Sequence, residues 1–90
     1  MASSPPLPPD VQAALTQLLD AAATHVAEGE PERADELLDT VESVTANKVP
    51  TDAERERLLR GCETVRATLE VDDETAEGYL RAMRRRVDGE

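Results

Sequence analysis

The side chains that could do chemistry in this chain are few: His25, Cys62, the adjacent pair Asn47–Lys48, and the arginines Arg81, Arg84, Arg85 and Arg86. His25 is the only histidine, and Glu28 and Glu32 lie near it in sequence. A general base or metal ligand is the chemistry such a group could offer, but no Cys/His pair has metal-ligand spacing. His25 follows Ala22 by three residues and falls on the border of an apolar stripe, where an amphipathic side chain packs well. Cys62, the only cysteine, acts as a nucleophile or redox sensor only when exposed with a lowered pKa. Its spacing sets it among apolar residues, as a small buried hydrophobe. No catalytic, metal-binding or cofactor-binding motif is present, so the residues point away from an enzyme.

Asn47 and Lys48 are the only asparagine and the only lysine. A lysine is a compact point charge, and such a pair suits contact with a phosphate, a carboxylate or a partner group. The plainer reading is a helix end, where Lys48 complements the dipole and Asn47 tolerates left-handed geometry. The four arginines near the C-terminus form the only basic cluster. They could meet nucleic acid or an acidic partner, but no aromatic residues interleave them for base stacking. Glu77 precedes Arg81 by four residues and can pair with it.

The elements that must position these groups are helical. Residues 1–8 are rich in serine and proline and read as a flexible or extended tail. A single domain over 9–88 follows. Its first helical pattern runs from Pro9 to Glu28, with a stripe of Val11, Ala14, Leu15, Leu18, Leu19, Ala22 and Val26. Pro9 suits the first helical position and Gly29 the left-handed C-cap. The second runs from Pro31 to Lys48, with Ala34, Leu37, Leu38, Val41 and Val44, and ends before Pro50. The third opens on Thr51-Asp52-Ala53-Glu54, a capping box, and carries Leu58, Leu59, Cys62, Val65 and Leu69. The fourth starts after Asp72-Asp73, carries Ala76, Tyr79, Leu80, Met83 and Val87, and puts Arg84, Arg85 and Arg86 in its last turn. Gly61 and Gly78 interrupt helices at about 1 kcal/mol each relative to alanine. Gly78 shares a face with Ala82, which fits a close helix crossing, inside the bundle or between subunits, with simple sequence drift as the alternative. Nothing alternates with period two. The expected fold is all-α: four helices arranged as two stacked antiparallel helical hairpins.

The two halves look alike. Leu18, Ala22 and His25 correspond to Leu58, Cys62 and Val65, and Ala34, Leu38 and Val41 to Ala76, Leu80 and Met83. Leu18, Ala22, Gly29, Ala34, Leu38 and Val41, with the turn Gly29-Glu30-Pro31-Glu32-Arg33-Ala34, resemble a tetratricopeptide-repeat hairpin. The resemblance is closer over 15–46 than over 55–87. It departs where that family places aromatics, which are Leu18 and His25 here, and in a repeat longer than the family's ~34 residues. It implies a scaffold that binds a peptide or protein on the inner face of its first helices. By position that face comprises Thr16, Leu19, Ala23 and Val26, then Glu56, Leu59, Glu63 and Arg66. On this reading Leu19 and Val26 are exposed apolar residues.

Composition adds an environment. Asp and Glu number 20 against 10 Lys and Arg, a formal net charge of −10, and Phe and Trp are both absent. This acidity with almost no lysine resembles the cytoplasmic proteins of salt-accumulating haloarchaea, the plainer alternative being an acidic protein of a GC-rich bacterium. In molar salt the Debye length falls to about 3 Å and self-repulsion is screened. Such a surface repels nucleic acid and anionic membranes. The N-terminus lacks a signal-peptide pattern, and no apolar run reaches the ~18 residues that span a bilayer. A single cysteine excludes an internal disulfide and fits a reducing compartment. The expectation is a cytoplasmic, non-enzymatic protein-interaction module with no cofactor. Its alternative is a nucleic-acid-associated regulator using the arginine-rich fourth helix. A core built from leucine, valine and alanine is modest, and homodimerisation is one way to support it.

Overall fold

Proline sets the start of the first two helices, because it lacks an N–H that would go unsatisfied there and its φ is already helical. The computed structural model describes residues 7–89. It contains α1 (Pro9–Ala27), α2 (Pro31–Lys48), α3 (Asp52–Leu69) and α4 (Asp73–Val87), with no strand among the described residues. Gly29 adopts φ 76° just past α1. Its N–H donates to the Val26 carbonyl at 3.0 Å and that of Glu30 to the His25 carbonyl at 2.8 Å, which closes the helix and reverses the chain. At the start of α4 the Asp72 carboxylate accepts from the Glu74 N–H at 3.1 Å and the Thr75 hydroxyl at 2.7 Å. The Thr75 bond is the main reason its carboxyl lies below the ordinary 3.8.

The helices pair as α1–α2 and α3–α4, and the two hairpins stack. α1 packs on both α2 and α4, and α3 on both α2 and α4, so the four form a ring. The interfaces of α1 are the most extensive. The core holds Leu15, Leu19, Ala22, Ala23, Leu38, Val41, Cys62, Val65 and Leu80, all without solvent contact. Positions matched between the halves fall together: Ala22 and Cys62, Ala34 and Ala76, Leu38 and Leu80, Val41 and Met83 are all buried.

Several local expectations are corrected. Residues 1–6 of the expected tail lie outside the described residues, but Leu7 is buried with the core, as is Val49 in the α2–α3 connection. The capping box at Thr51 does not form: its side chain makes no cap bond. Glu54 instead turns inward, only 8% exposed, and pairs with Arg57 at 3.0 Å. The start of α3 is tied down by Arg55, whose guanidinium donates to the Val49 carbonyl at 3.1 and 3.3 Å and to Asp52 at 2.6 Å. Asn47 is not left-handed, since no described residue other than glycine has positive φ. α2 ends by passing into extended backbone at Val49. Gly78 is exposed, and a Cβ there would meet no other part of the chain within 4 Å, so the close approach within the chain falls at Gly61 instead. There a Cβ would lie 2.8 Å from Cε of Met83.

One core position is chemically out of place. Thr45 is fully buried, and its hydroxyl has no hydrogen-bond partner among the described residues. A buried hydroxyl without a partner loses its hydration and recovers nothing. Thr45→Val keeps the shape and removes that loss. It should raise stability by about 1 kcal/mol in denaturant melts; a valine variant less stable than the parent would show that the hydroxyl is satisfied.

Candidate functional site

On α1 the face expected to line a partner groove is closed. Leu19 and Ala23 are fully buried and Val26 nearly so. α1 lies between α2 and α4, so both flanks of its stripe are covered, and apolar side chains there become core. Thr16 is half-buried, and its hydroxyl, like that of Thr45, has no partner among the described residues. On α3, Glu56 and Glu63 are exposed and Leu59 is half-buried.

Arg66 is not free for a partner. It reaches from α3 across to α2, where its Nε donates to Asp35 at 2.8 Å and its Nη1 to Glu42 at 2.6 Å. Nη2 bonds Asp39 and also the Asp35 carbonyl, the latter at 3.4 Å. Asp35, Asp39 and Glu42 recur at helical spacing, so one guanidinium answers a column of carboxylates on one side of α2. Burial works against the charge on Arg66, but its hydrogen bonds to Asp35 and Glu42 hold its pKa above the ordinary value. Beneath this cluster Cys62 is buried, and its thiol is pushed up to about 12, chiefly by burial and then by Glu42. It is therefore a thiol at any ordinary pH, in keeping with a packing role.

His25 stands half-exposed at the end of α1, with Nδ1 2.6 Å from Oε1 of Glu30. Ligand atoms of His25, Glu28 and Glu30 come within 4.8 Å of one another, a grouping able to accept a cation. The sequence expectation had named Glu32 rather than Glu30. The reversal at Gly29 is what brings Glu30 back to the ring. Asn47 donates to the Ser43 carbonyl at 2.8 Å, and Lys48 is exposed in the last turn of α2. The two therefore behave as helix-end residues.

The arginines of α4 divide into two sets. Arg81 pairs with Glu77 at 2.9 Å and approaches Asp20 of α1 at 4.0 Å, and Arg84 approaches Asp20 at 3.7 Å. Arg81 is thus held within α4, while both stand near Asp20 without a hydrogen bond to it. Nε of Arg84 is buried with no hydrogen-bond partner among the described residues. Arg85 and Arg86 are exposed and make no ion pair among the described residues. On the neighbouring α3, Arg60 is likewise exposed and unpaired among the described residues. Tyr79, expected in the core stripe, is 40% exposed between these arginines.

Two open clefts flank the Tyr79 ring. Glu56, Arg57, Arg60, Gly61 and Arg86 line one with it, and Ala82, Met83, Arg85 and Arg86 line the other. The missing side chain at Gly61 lets Met83 pack against α3, and Met83 lines the second cleft. The helical periodicity of α4 pointed to Arg85 and Arg86. Arg57, Arg60 and Tyr79 join them only through the α3–α4 pairing, which local sequence does not encode.

Removing Arg66 leaves three carboxylates of α2 unanswered while keeping the core intact. Arg66→Gln should cost about 1–2 kcal/mol in dilute buffer, after allowing for partial solvent screening. The loss should shrink in molar KCl, where like charges are screened. An equal loss at both salt concentrations, read from denaturant melts, would show that packing rather than charge is what Arg66 supplies.

No curated protein and no solved structure matches the chain. Residues 1–89 match the family model of a domain of unknown function, DUF8101. With nearly its whole length inside that match, this four-helix chain belongs to the DUF8101 family.

Proposed function

We propose that the protein is a small non-enzymatic interaction module of a halophilic cytoplasm, and that it docks its protein partner on the outer face of α3 and α4. The observation that carries this reading is the company Tyr79 keeps. Carboxylates outnumber basic groups two to one in this chain. Arg60, Arg85 and Arg86 nonetheless remain without an ion-pair partner among the described residues, around the one exposed aromatic ring. Tyrosine and arginine are the residue types that anchor protein interfaces. The α1 part of the face that the repeat resemblance implied is occupied by core packing and is not available for this role.

Two measurements test the reading. The tagged protein and an Arg60→Ala/Tyr79→Ala/Arg86→Ala variant would each be used for affinity capture from the host at its native salt. Partners retained by the parent should be lost with the variant, while its helical circular dichroism is preserved. Identical partner lists would refute the docking face. For the environment, the melting temperature should rise substantially between dilute buffer and molar KCl as the net charge of −10 is screened. A melting temperature that stays level over that range would refute the halophilic assignment.

A further inference from the structure

We infer that the α3–α4 cleft recognises a short acidic segment of a partner protein, with its carboxylates held between Arg60 and Arg86 and its apolar stem laid on Tyr79. The inference rests on the docking reading above and adds the chemistry of the occupant. Arg60 comes from α3 and Arg86 from α4, and both line the cleft that Tyr79 closes on one side. Guanidinium forks bind carboxylates in pairs of parallel hydrogen bonds, which survive at contact range where salt screens anything farther away. The ring of Tyr79 offers an apolar surface that shields such bonds from water.

The dimensions limit the ligand. From Tyr79 to Arg86 the helix rises about 10 Å, room for two or three neighbouring carboxylates. Arg57, on the same wall, already has one nitrogen committed to Glu54, and Glu56 lines the cleft as well. The positive surface is therefore short and interrupted by Glu56, on a chain whose net charge of −10 repels phosphates. A nucleic-acid strand carries a charge at every step and would run from the cleft onto that repulsive surface. A peptide can carry its charges in one short run and then stop. The same argument disfavours the wider use of the α4 arginines on nucleic acid, because Arg81 is paired with Glu77 and Arg84 lies beside the carboxylate of Asp20.

The test is an NMR titration of the full chain in fixed, moderate salt with three probes: a blocked glutamate tetrapeptide, a single-stranded oligothymidylate and inorganic phosphate. The peptide should move amide signals within 57–61 and 79–86 saturably. Arg60→Gln with Arg86→Gln should weaken it about tenfold or more, as expected on losing contact charge pairs. Arg33→Gln, at the far α1–α2 turn, should leave it unchanged. The inference is overturned if the peptide moves none of these signals, or if the paired glutamine variant binds it as well as the parent. Tighter binding of oligothymidylate in the same cleft would make nucleic acid the ligand, and phosphate binding as tightly as the peptide would reduce the cleft to a simple anion site; either result overturns it. Should the peptide fail while partner capture still depends on Arg60 and Arg86, this inference falls and the docking reading stands. Should capture be indifferent to them, the docking reading falls.

Discussion

Burial on two sides of one helix is the constraint from which the rest of this fold follows. With no phenylalanine or tryptophan to fill space, a single apolar face per helix would bury little. α1 escapes that limit by presenting Leu15, Leu19, Ala22 and Ala23 to neighbours on both flanks, α2 and α4. The two alanines matter as much as the leucines, because small side chains let two helices approach the same segment. α4 must then return alongside α1, with the Gln12 side chain donating to the Val87 carbonyl at 2.9 Å where the beginning of one meets the end of the other. α3 completes the ring against α2 and α4, and its outer surface is left to solvent.

Electrostatics is arranged around that packing. The acidic side of α2 is tolerable because Arg66 crosses from α3 to meet it, and Asp20 of α1 is answered by Arg81 and Arg84 of α4. The basic residues used in this way sit where helices join, and they do the joining. Of the arginines without an ion pair among the described residues, Arg60, Arg85 and Arg86 gather on the α3–α4 face while Arg33 stands apart at the α1–α2 turn, which is why that face differs in character from the remainder of an acidic molecule.

The sequence made the elements legible and their neighbours much less so. Pro9, Pro31, Gly29 and Asp72 act within a few residues of themselves, so helix boundaries could be read almost residue by residue. The buried stripes were also readable, since Leu38, Val41, Cys62 and Leu80 recur at helical spacing. Leu19 and Val26 were misread because periodicity locates an apolar flank without saying which helix covers it. Arg66 was misread for the same reason: its partners lie 24 to 31 residues away, and nothing local announces them. Glu54 shows the converse failure. The local pattern for a capping box was present, but the position also falls on the inward face of α3, and burial with Arg57 prevailed. Tyr79 followed the α4 stripe by spacing yet sits at its edge, where a phenol keeps its hydroxyl in water.

The placement of Tyr79 has an optical consequence. It is the chain's single tyrosine, and there is no tryptophan or phenylalanine. The interior is therefore transparent in the near ultraviolet, and every photon absorbed there is absorbed at the α3–α4 surface. Near-ultraviolet dichroism, ordinarily a gauge of how tightly a core is packed, is blind to this core. It reports instead on the local order of one exposed ring, so a fully native molecule can present the near-ultraviolet spectrum of a disordered one.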